Sequence, residues 1–450
     1  MNVEIRPQLS SVSLKDVVRS ITPPPDKSIF HRLLIIGSLT GATIRVPISA
    51  IEDLPVDIIS TILAMQSLGV PIEISRSEIE LQGVGAHGYH EPKHQINCGN
   101  SGTTARLLMG LLCGQKFSSK LTGDSSLSSR PMKRLADLLN NELGSDITTA
   151  PEGKMPIMIN GKDLHPGDIM LPVASAQMKS ALLIAGLHID GRVSVSEPLQ
   201  SRNHTEKMLA GFGINIYSEN TTTTLSAPHD FKVLRELTYH VPGDISSSGY
   251  LLAAALIVRK NIILSNVGLN PTRKRFLDIL IACGFEIEIS AIKEEWNEER
   301  GTLHIFGAES KVTRPFNFSA EDIPLIIDEI PIIAVLACFC NGQTTITHAG
   351  ELRNKESDRI SVLVKNLTAF GVLVKETEEG FTIFGDENFI PKGGVIDHHG
   401  DHRIALAMAV MLLKSKESVT ISEAEVVSIS YPNFFRDLAL IVGKERIHIL

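Results

Sequence analysis

Six segments of the sequence open on polar or glycine residues and run on as apolar stretches rich in small side chains: DKSIFHRLLIIGSL, NSGTTARLLMGLL, SAQMKSALLIAGL, DISSSGYLLAAALI, DEIPIIAVLACF and GDHRIALAMAVMLL. Taking Ser28, Ser101, Ser175, Ser246, Asp328 and Gly400 as starts, successive spacings are 73, 74, 71, 82 and 72 residues. A fixed period of this length means one supersecondary unit used again and again. Six amphipathic segments interleave with these, and each ends on a glycine suited to a left-handed cap: LPVDIISTILAMQSLG, PMKRLADLLNNELG, HTEKMLAGFG, RKRFLDILIACG, SDRISVLVKNLTAFG and FFRDLALIVG. Alternating sequence follows the caps, as in VPIEISRSEIELQG and VLVKETEEGFTIFG, which predicts β-hairpins. The expected unit is βαβαββ, an α/β architecture with helices on one face of a small sheet. The helices that are apolar all round should be the buried ones.

At 450 residues the chain exceeds one ordinary core, and three repeats per core give two domains. The last repeat stops at ERIHIL without a second hairpin strand, which NVEIRPQL at the start of the chain can supply. The expected domains are therefore 22–241, and 1–21 with 242–450.

The opening residues of the first helix carry chemistry. Pro23, Pro24 and Pro25 forbid helix before about residue 26, so Asp26 is the expected N-cap and Lys27, Ser28 and Arg32 fall in the first two turns. Cations in a first turn oppose the helix dipole unless an anion is held there by them and the free N–H groups. A solvated helix start is the plainer alternative for that stretch alone. Arg106, Arg130, Lys179, Lys355, Arg359 and Arg403 lie at or near other helix starts, so an anionic small molecule is the expected ligand class. The net charge of −8 argues against a nucleic-acid or anionic-membrane partner. No apolar leader opens the chain, and the longest apolar run, PIIAVLACFC, is too short to span a bilayer. Five cysteines with no zinc-type spacing fit reduced thiols and a cytoplasmic location, with Cys338 and Cys340 expected buried and inert. DHHGDHR at 397–403 gathers His398, His399 and His402 with Asp397 and Asp401, but its spacing matches no metal motif, and no metal or cofactor is expected.

The stretches DKSIFHR, GNSGTTARLL, LTGDSSLSSRPM, SAQMKSALLIAGL, SRNHTEKML, VPGDISSSGY, DEIP, ELRNKESDRI and GDHRIAL, in this order, resemble the 3-phosphoshikimate 1-carboxyvinyltransferase (EPSP synthase) family across nearly the whole chain. The resemblance implies a two-domain enolpyruvyltransferase-like fold of six βαβαββ repeats, three per domain, with the active site in the interdomain cleft. It implies transfer of the enolpyruvyl group of phosphoenolpyruvate to the 5-hydroxyl of shikimate 3-phosphate, by addition and then loss of phosphate, in a protein expected to be a monomer. By the same resemblance Lys27, Gly102, Arg130, Gln177, Arg359 and Arg403 hold phosphoenolpyruvate. Lys27, Ser28, Arg32, Ser175, Ala176, Gln177, Ser201, Asp328 and Lys355 hold shikimate 3-phosphate, Ala176 through its backbone. Asp328, Glu356 and Lys27 are the catalytic residues, Asp328 taking the hydroxyl proton and Glu356 serving the methylene carbon. Family members are inhibited by glyphosate, and tolerant ones resemble GNSGTTARLL with alanine at the position of Gly102, so this chain is expected to be sensitive.

Each assignment has a structural rival. Asp328 can be the N-cap of the following helix, Glu356 and Arg359 a surface pair three residues apart, and Ser201 the cap of RNHTEKML. Two other functions compete with the main reading. One is enolpyruvyl transfer to UDP-N-acetylglucosamine, which resembles this fold but uses a reactive loop cysteine; the other is a non-catalytic anion-binding repeat protein.

Overall fold

All twelve helical segments read from the sequence form in the computed structural model, which describes residues 1–7, 18–227, 231, 235–310 and 314–450. The six apolar ones are Lys27–Ser38, Gly102–Leu112, Ala176–Gly186, Ile245–Val258, Ile330–Cys338 and His402–Met411. They are buried on every side where the sequence is apolar on every side: each residue of Ile330–Cys338 is buried, as is all of Ile245–Val258 except its last. Their small residues let backbones approach. A Cβ on Gly110 would come within 2.1 Å of the Ala181 carbonyl oxygen in the neighbouring Ala176–Gly186 helix.

The second set is Val56–Ser67, Lys133–Leu143, His204–Gly211, Arg275–Ala282, Arg359–Ala369 and Phe434–Val442. These bury one stripe only; in Lys133–Leu143 it is Leu135, Ala136, Leu139 and Leu143. The glycines that follow, Gly69, Gly144, Gly213, Gly284, Gly371 and Gly443, all have φ between 73° and 98°, a region costly for any residue with a Cβ.

The chain divides into two compact units. The N-terminal unit is Pro25–Val241 with Glu294–Glu298, and the C-terminal unit is Met1–Pro24, Pro242–Lys293 and Glu299–Leu450. Each has its own core. Among the described residues there are six small sheets, one per repeat. In the second repeat, Ile96–Asn97 pairs parallel with Ser118–Thr122 across the Gly102–Leu112 helix, and the hairpin Asp146–Ala150 and Lys154–Asn160 completes the sheet antiparallel. The third repeat does the same with Gly167–Met170, Arg192–Ser196, Ile216–Glu219 and Thr222–Ser226.

Where the chain leaves one unit for the other, this local pattern breaks. Arg19–Ile21 precedes the Lys27–Ser38 helix but pairs in the C-terminal unit with Asn261–Gly268. Glu236–Thr238 precedes the Ile245–Val258 helix but pairs in the N-terminal unit with Thr43–Pro47. Each strand stays with the unit on its own side of the crossing, so two repeats take their parallel edge strand from a distant part of the chain. The last sheet is also assembled from far apart: Val3–Ile5 lies between Val419–Ile421 and Ile447–Ile449, antiparallel to both.

Candidate active site

In the N-terminal unit the starts of the three apolar helices are cross-linked by their own polar residues. Asp26 caps the first helix, its Oδ1 accepting the Ile29 N–H at 3.0 Å. Lys27 follows at once and pairs with Asp57 at 2.7 Å. Arg32 is buried, donating to the Ser28 carbonyl at 2.9 Å, to Thr205 Oγ1 and Ser180 Oγ at 2.7 Å each, and to the Ala176 carbonyl at 3.4 Å. It thereby fixes the first helix start against Ala176–Gly186 and His204–Gly211. Ser175 caps Ala176–Gly186, accepting the Met178 N–H at 3.4 Å. Gln177 is held from two sides, accepting from Arg106 Nη1 at 2.9 Å and donating to Thr103 Oγ1 at 3.0 Å.

Arg130 is buried, and its Nη2 donates to Asn100 Oδ1 at 2.6 Å and to Ser126 Oγ at 3.1 Å. Gly102 opens the second apolar helix between these cations. A Cβ there would stand 2.7 Å from Arg106 Nη1 and 3.3 Å from Arg130 Nη1. Both are far ends of flexible side chains, so a methyl is accommodated by displacing guanidinium groups and leaves the backbone in place.

Two sequence readings change here. Lys179 does not belong with the ligand-facing cations: only 4% of its side chain is exposed, and it lies between Glu197 at 2.5 Å and Glu206 at 2.8 Å. Burial pulls its ammonium down, but the two carboxylates outweigh burial and hold it above the usual lysine value. Ser201 is not a helix cap, since Asn203 occupies that position for His204–Gly211. Its hydroxyl donates to Glu197 Oε2 at 2.5 Å and its N–H to Oε1 at 3.1 Å.

His31 is fully enclosed beside these groups, with Nδ1 2.6 Å from Thr61 Oγ1. Burial, then the charges of Lys27 and Arg32, push its pKa well below the usual histidine value, so it is neutral. Because the unfolded chain binds the proton more readily, this stabilisation is complete above about pH 6.5 and lost as pH falls, by up to about 1.4 kcal/mol per pH unit. Urea unfolding between pH 7.5 and 5 should show that slope, and His31→Gln should flatten it.

In the C-terminal unit the three apolar helix starts also meet. Asp244 caps Ile245–Val258. Arg273 donates to Ser246 Oγ at 2.7 Å, and the Ser246 hydroxyl donates to Glu329 Oε1. Asp328 does not cap the Ile330–Cys338 helix; Glu329 stands at that position without a side-chain cap bond. The Asp328 carboxylate instead faces two arginines, with Oδ1 3.4 Å from Arg359 Nη1 and Oδ2 3.4 Å from Arg403 Nη2. Its carbonyl accepts from Arg403 Nη1 at 3.0 Å.

Glu356 and Arg359 do form an ion pair, but not a surface one, for the Arg359 side chain is 1% exposed. Arg359 donates through Nε to Asp401 at 2.8 Å, through Nη1 to Asp328 and through Nη2 to Glu356. Burial disfavours its charge, and Asp401 and Glu356 more than restore it. Lys355 adjoins Glu356 where the 3-10 turn Gly350–Asn354 ends.

The sequence reading passed over Asp401, Glu329, Arg273 and Asn100 as contributors. Asp401 had a signal, a carboxylate directly before an apolar helix: it caps His402–Met411 through the Arg403 N–H at 2.9 Å while gripping Arg359. The histidines of DHHGDHR diverge. His398 Nε2 meets the Ser422 carbonyl at 2.9 Å, and His399 lies 3.2 Å from Asp397. Among the described residues no helix is long and apolar enough to cross a membrane. Cys338 and Cys340 are buried as expected, and burial pushes the Cys340 thiol up to about 12.

A family model described as EPSP synthase (3-phosphoshikimate 1-carboxyvinyltransferase) matches residues 13–438. The 3-phosphoshikimate 1-carboxyvinyltransferase of Alkaliphilus metalliredigens is 41% identical over 424 residues, 94% of this chain and 97% of that protein. Its counterpart in Geobacillus thermodenitrificans is 41% identical over 93% of this chain and 95% of that one. The solved EPSP synthase from Acinetobacter baumannii superimposes with a TM-score of 0.82 over 100% of both chains at 35% identity. With family, relatives and fold in agreement along nearly its full length, the chain belongs to the EPSP synthase (3-phosphoshikimate 1-carboxyvinyltransferase) family.

Proposed function

We propose that the protein transfers the enolpyruvyl group of phosphoenolpyruvate to the 5-hydroxyl of shikimate 3-phosphate, giving 5-enolpyruvylshikimate 3-phosphate and phosphate, a step of aromatic amino acid biosynthesis. The observation that carries this reading is the C-terminal cluster, where two carboxylates, Asp328 and Glu356, sit on the same guanidinium group, Arg359. A reaction that takes a proton from a hydroxyl and gives one to a methylene carbon, beside an anion, needs that set.

Arg359 and Arg403, with Arg130, Lys27, Gln177 and the backbone at Gly102, bind phosphoenolpyruvate; arginine suits a carboxylate or phosphate because its planar fork donates in pairs. Lys27, Ser28, Arg32, Ser175, Ala176, Gln177, Ser201, Asp328 and Lys355 bind shikimate 3-phosphate. Within that set Arg32 acts chiefly by fixing the positions of Ser28 and Ala176, whose carbonyls it holds. Ser201 meets a phosphate by turning its hydroxyl away from Glu197, to which it now donates. Asp328 accepts the 5-hydroxyl proton as the oxygen adds to the enolpyruvyl carbon. Glu356 delivers a proton to the methylene carbon, giving a methyl-bearing tetrahedral intermediate, and removes one again as phosphate leaves. Lys27 offsets charge on the departing group.

Transfer to UDP-N-acetylglucosamine fits less well, because the thiols at 98 and 113 are buried and burial pushes each up to about 12, leaving no reactive cysteine there. The test is phosphate release from phosphoenolpyruvate with each acceptor. Release that requires shikimate 3-phosphate and ignores UDP-N-acetylglucosamine supports the reading, and the reverse overturns it.

Glyphosate should inhibit the wild type in competition with phosphoenolpyruvate. In Gly102→Ala the new methyl displaces the Arg106 and Arg130 guanidinium groups. The inhibition constant should then rise more than the KM for phosphoenolpyruvate, because the longer inhibitor tolerates a displaced cation less well. Equal sensitivity of the two proteins, measured at fixed shikimate 3-phosphate, removes Gly102 from the enolpyruvate site.

A further inference from the structure

The C-terminal cluster holds more negative than positive groups, although it is the part of the site assigned to an anion. Asp328, Glu356 and Asp401 act on Arg359, while Asp328, Glu329 and Asp244 act on Arg403. Arg273 is the third guanidinium of the network, 3.5 Å from Asp244 and 4.0 Å from Glu329, and Lys355 immediately precedes Glu356 in the chain. The Tyr250 hydroxyl is buried beside the same arginines and has no hydrogen-bond partner, so it adds no counter-charge. Asp401 is fully buried, capping a helix and bonded to Ser357 Oγ at 3.1 Å, so it stays on Arg359 whatever else binds.

Of the carboxylates on Arg359, Glu356 and Asp328 are the more exposed (15% and 14%, against 0% for Asp401), and Glu356 bonds Arg359 Nη2 while Asp328 stands 3.4 Å from Arg359 and from Arg403. A carboxylate or phosphate that binds Arg359 through Nη2 has to replace Glu356 there. A carboxylate separated from its guanidinium, and left beside a new anion, binds a proton more readily.

We propose that occupation of Arg359 and Arg403 by phosphoenolpyruvate displaces Glu356 from Arg359 and makes Glu356 take up a proton from solvent, so that ligand binding itself produces the acid form used on the methylene carbon. This rests on the assignment of Arg359 and Arg403 to phosphoenolpyruvate. The proton comes from water or buffer, goes to the Glu356 oxygen that faced Arg359 Nη2, and leaves as the third hydrogen of the methyl group. No electron transfer or further reactant is involved.

The experiment is calorimetric titration of phosphoenolpyruvate into the full chain saturated with shikimate 3-phosphate lacking its 5-hydroxyl, so that no transfer follows. It is run at pH 8, where the ligand is fully ionised, in two buffers of different ionisation enthalpy. The apparent enthalpies should differ by an amount equal to uptake of about one proton per ligand bound. In Glu356→Gln the uptake should fall to less than half, and phosphoenolpyruvate should bind more tightly because one competitor for Arg359 is gone. Saturable binding with the same enthalpy in both buffers overturns the coupling and leaves the clamp standing, as does uptake unchanged in Glu356→Gln. Absence of any saturable binding of phosphoenolpyruvate overturns the clamp, and the coupling with it.

Discussion

Asp328→Asn and Glu356→Gln should each lower turnover at least ~100-fold, the range in which positioned general acids and bases act. Neither change should unfold the C-terminal unit. The Asp328 carbonyl, which the substitution keeps, still accepts from Arg403 Nη1, and Arg359 keeps Asp401 when Glu356 loses its charge. The two variants should separate in KM. Glu356→Gln frees the outer side of Arg359, so its KM for phosphoenolpyruvate should stay level or fall; a rise in KM with turnover unchanged would make Glu356 a binding group only. Single-turnover measurement on both purified variants decides the matter, and wild-type rates in both would remove the acid–base assignment.

Lys179→Met should cost ~3–5 kcal/mol of stability, the usual penalty for removing one partner of a buried ion pair. Methionine matches the length of the lysine stem, so the loss reflects charge and not a cavity. Glu197 and Glu206 are both buried and would face each other without a cation between them. Combining Lys179→Met with Glu197→Gln and Glu206→Gln should recover much of the loss, because no buried charge is then uncompensated. Urea unfolding monitored in the N-terminal unit provides the measurement. A single variant within ~1 kcal/mol of wild type would mean that the triad behaves like an exposed pair.

The sequence carried the helices well, because they are long and each type has its own period. The apolar and amphipathic sets alternate without exception, and the capping glycines of the second set mark their ends. Asp26 was legible as a cap from the three prolines before it. The parallel edge strands were not: Arg19–Ile21 and Glu236–Thr238 are three residues each, too short to show alternation, and their partners lie hundreds of residues away.

The same limit governs the site. Which cations stand at helix starts can be read along the chain, but which of them are already neutralised cannot. Lys179 and Arg32 look alike in sequence. The first is matched by Glu197 and Glu206, 18 and 27 positions on, and the second is bonded to hydroxyls of two other helices. The placing of Asp401 on Arg359 spans 42 positions and is equally invisible to spacing.

The placement of Val3–Ile5 has a consequence for how the protein is made. Those residues leave the ribosome more than 400 positions ahead of both of their sheet neighbours, Val419–Ile421 and Ile447–Ile449. At elongation rates of ~5–20 residues per second the wait is roughly 20–90 s. Through that interval Val3 and Ile5, both destined for a buried core, have no partner strand, while the continuous stretch Pro25–Val241 already contains most of its own unit. The sheet that holds Val3–Ile5 can therefore form only after residues 419–449 are made, whereas Pro25–Val241 can begin to pack well before then.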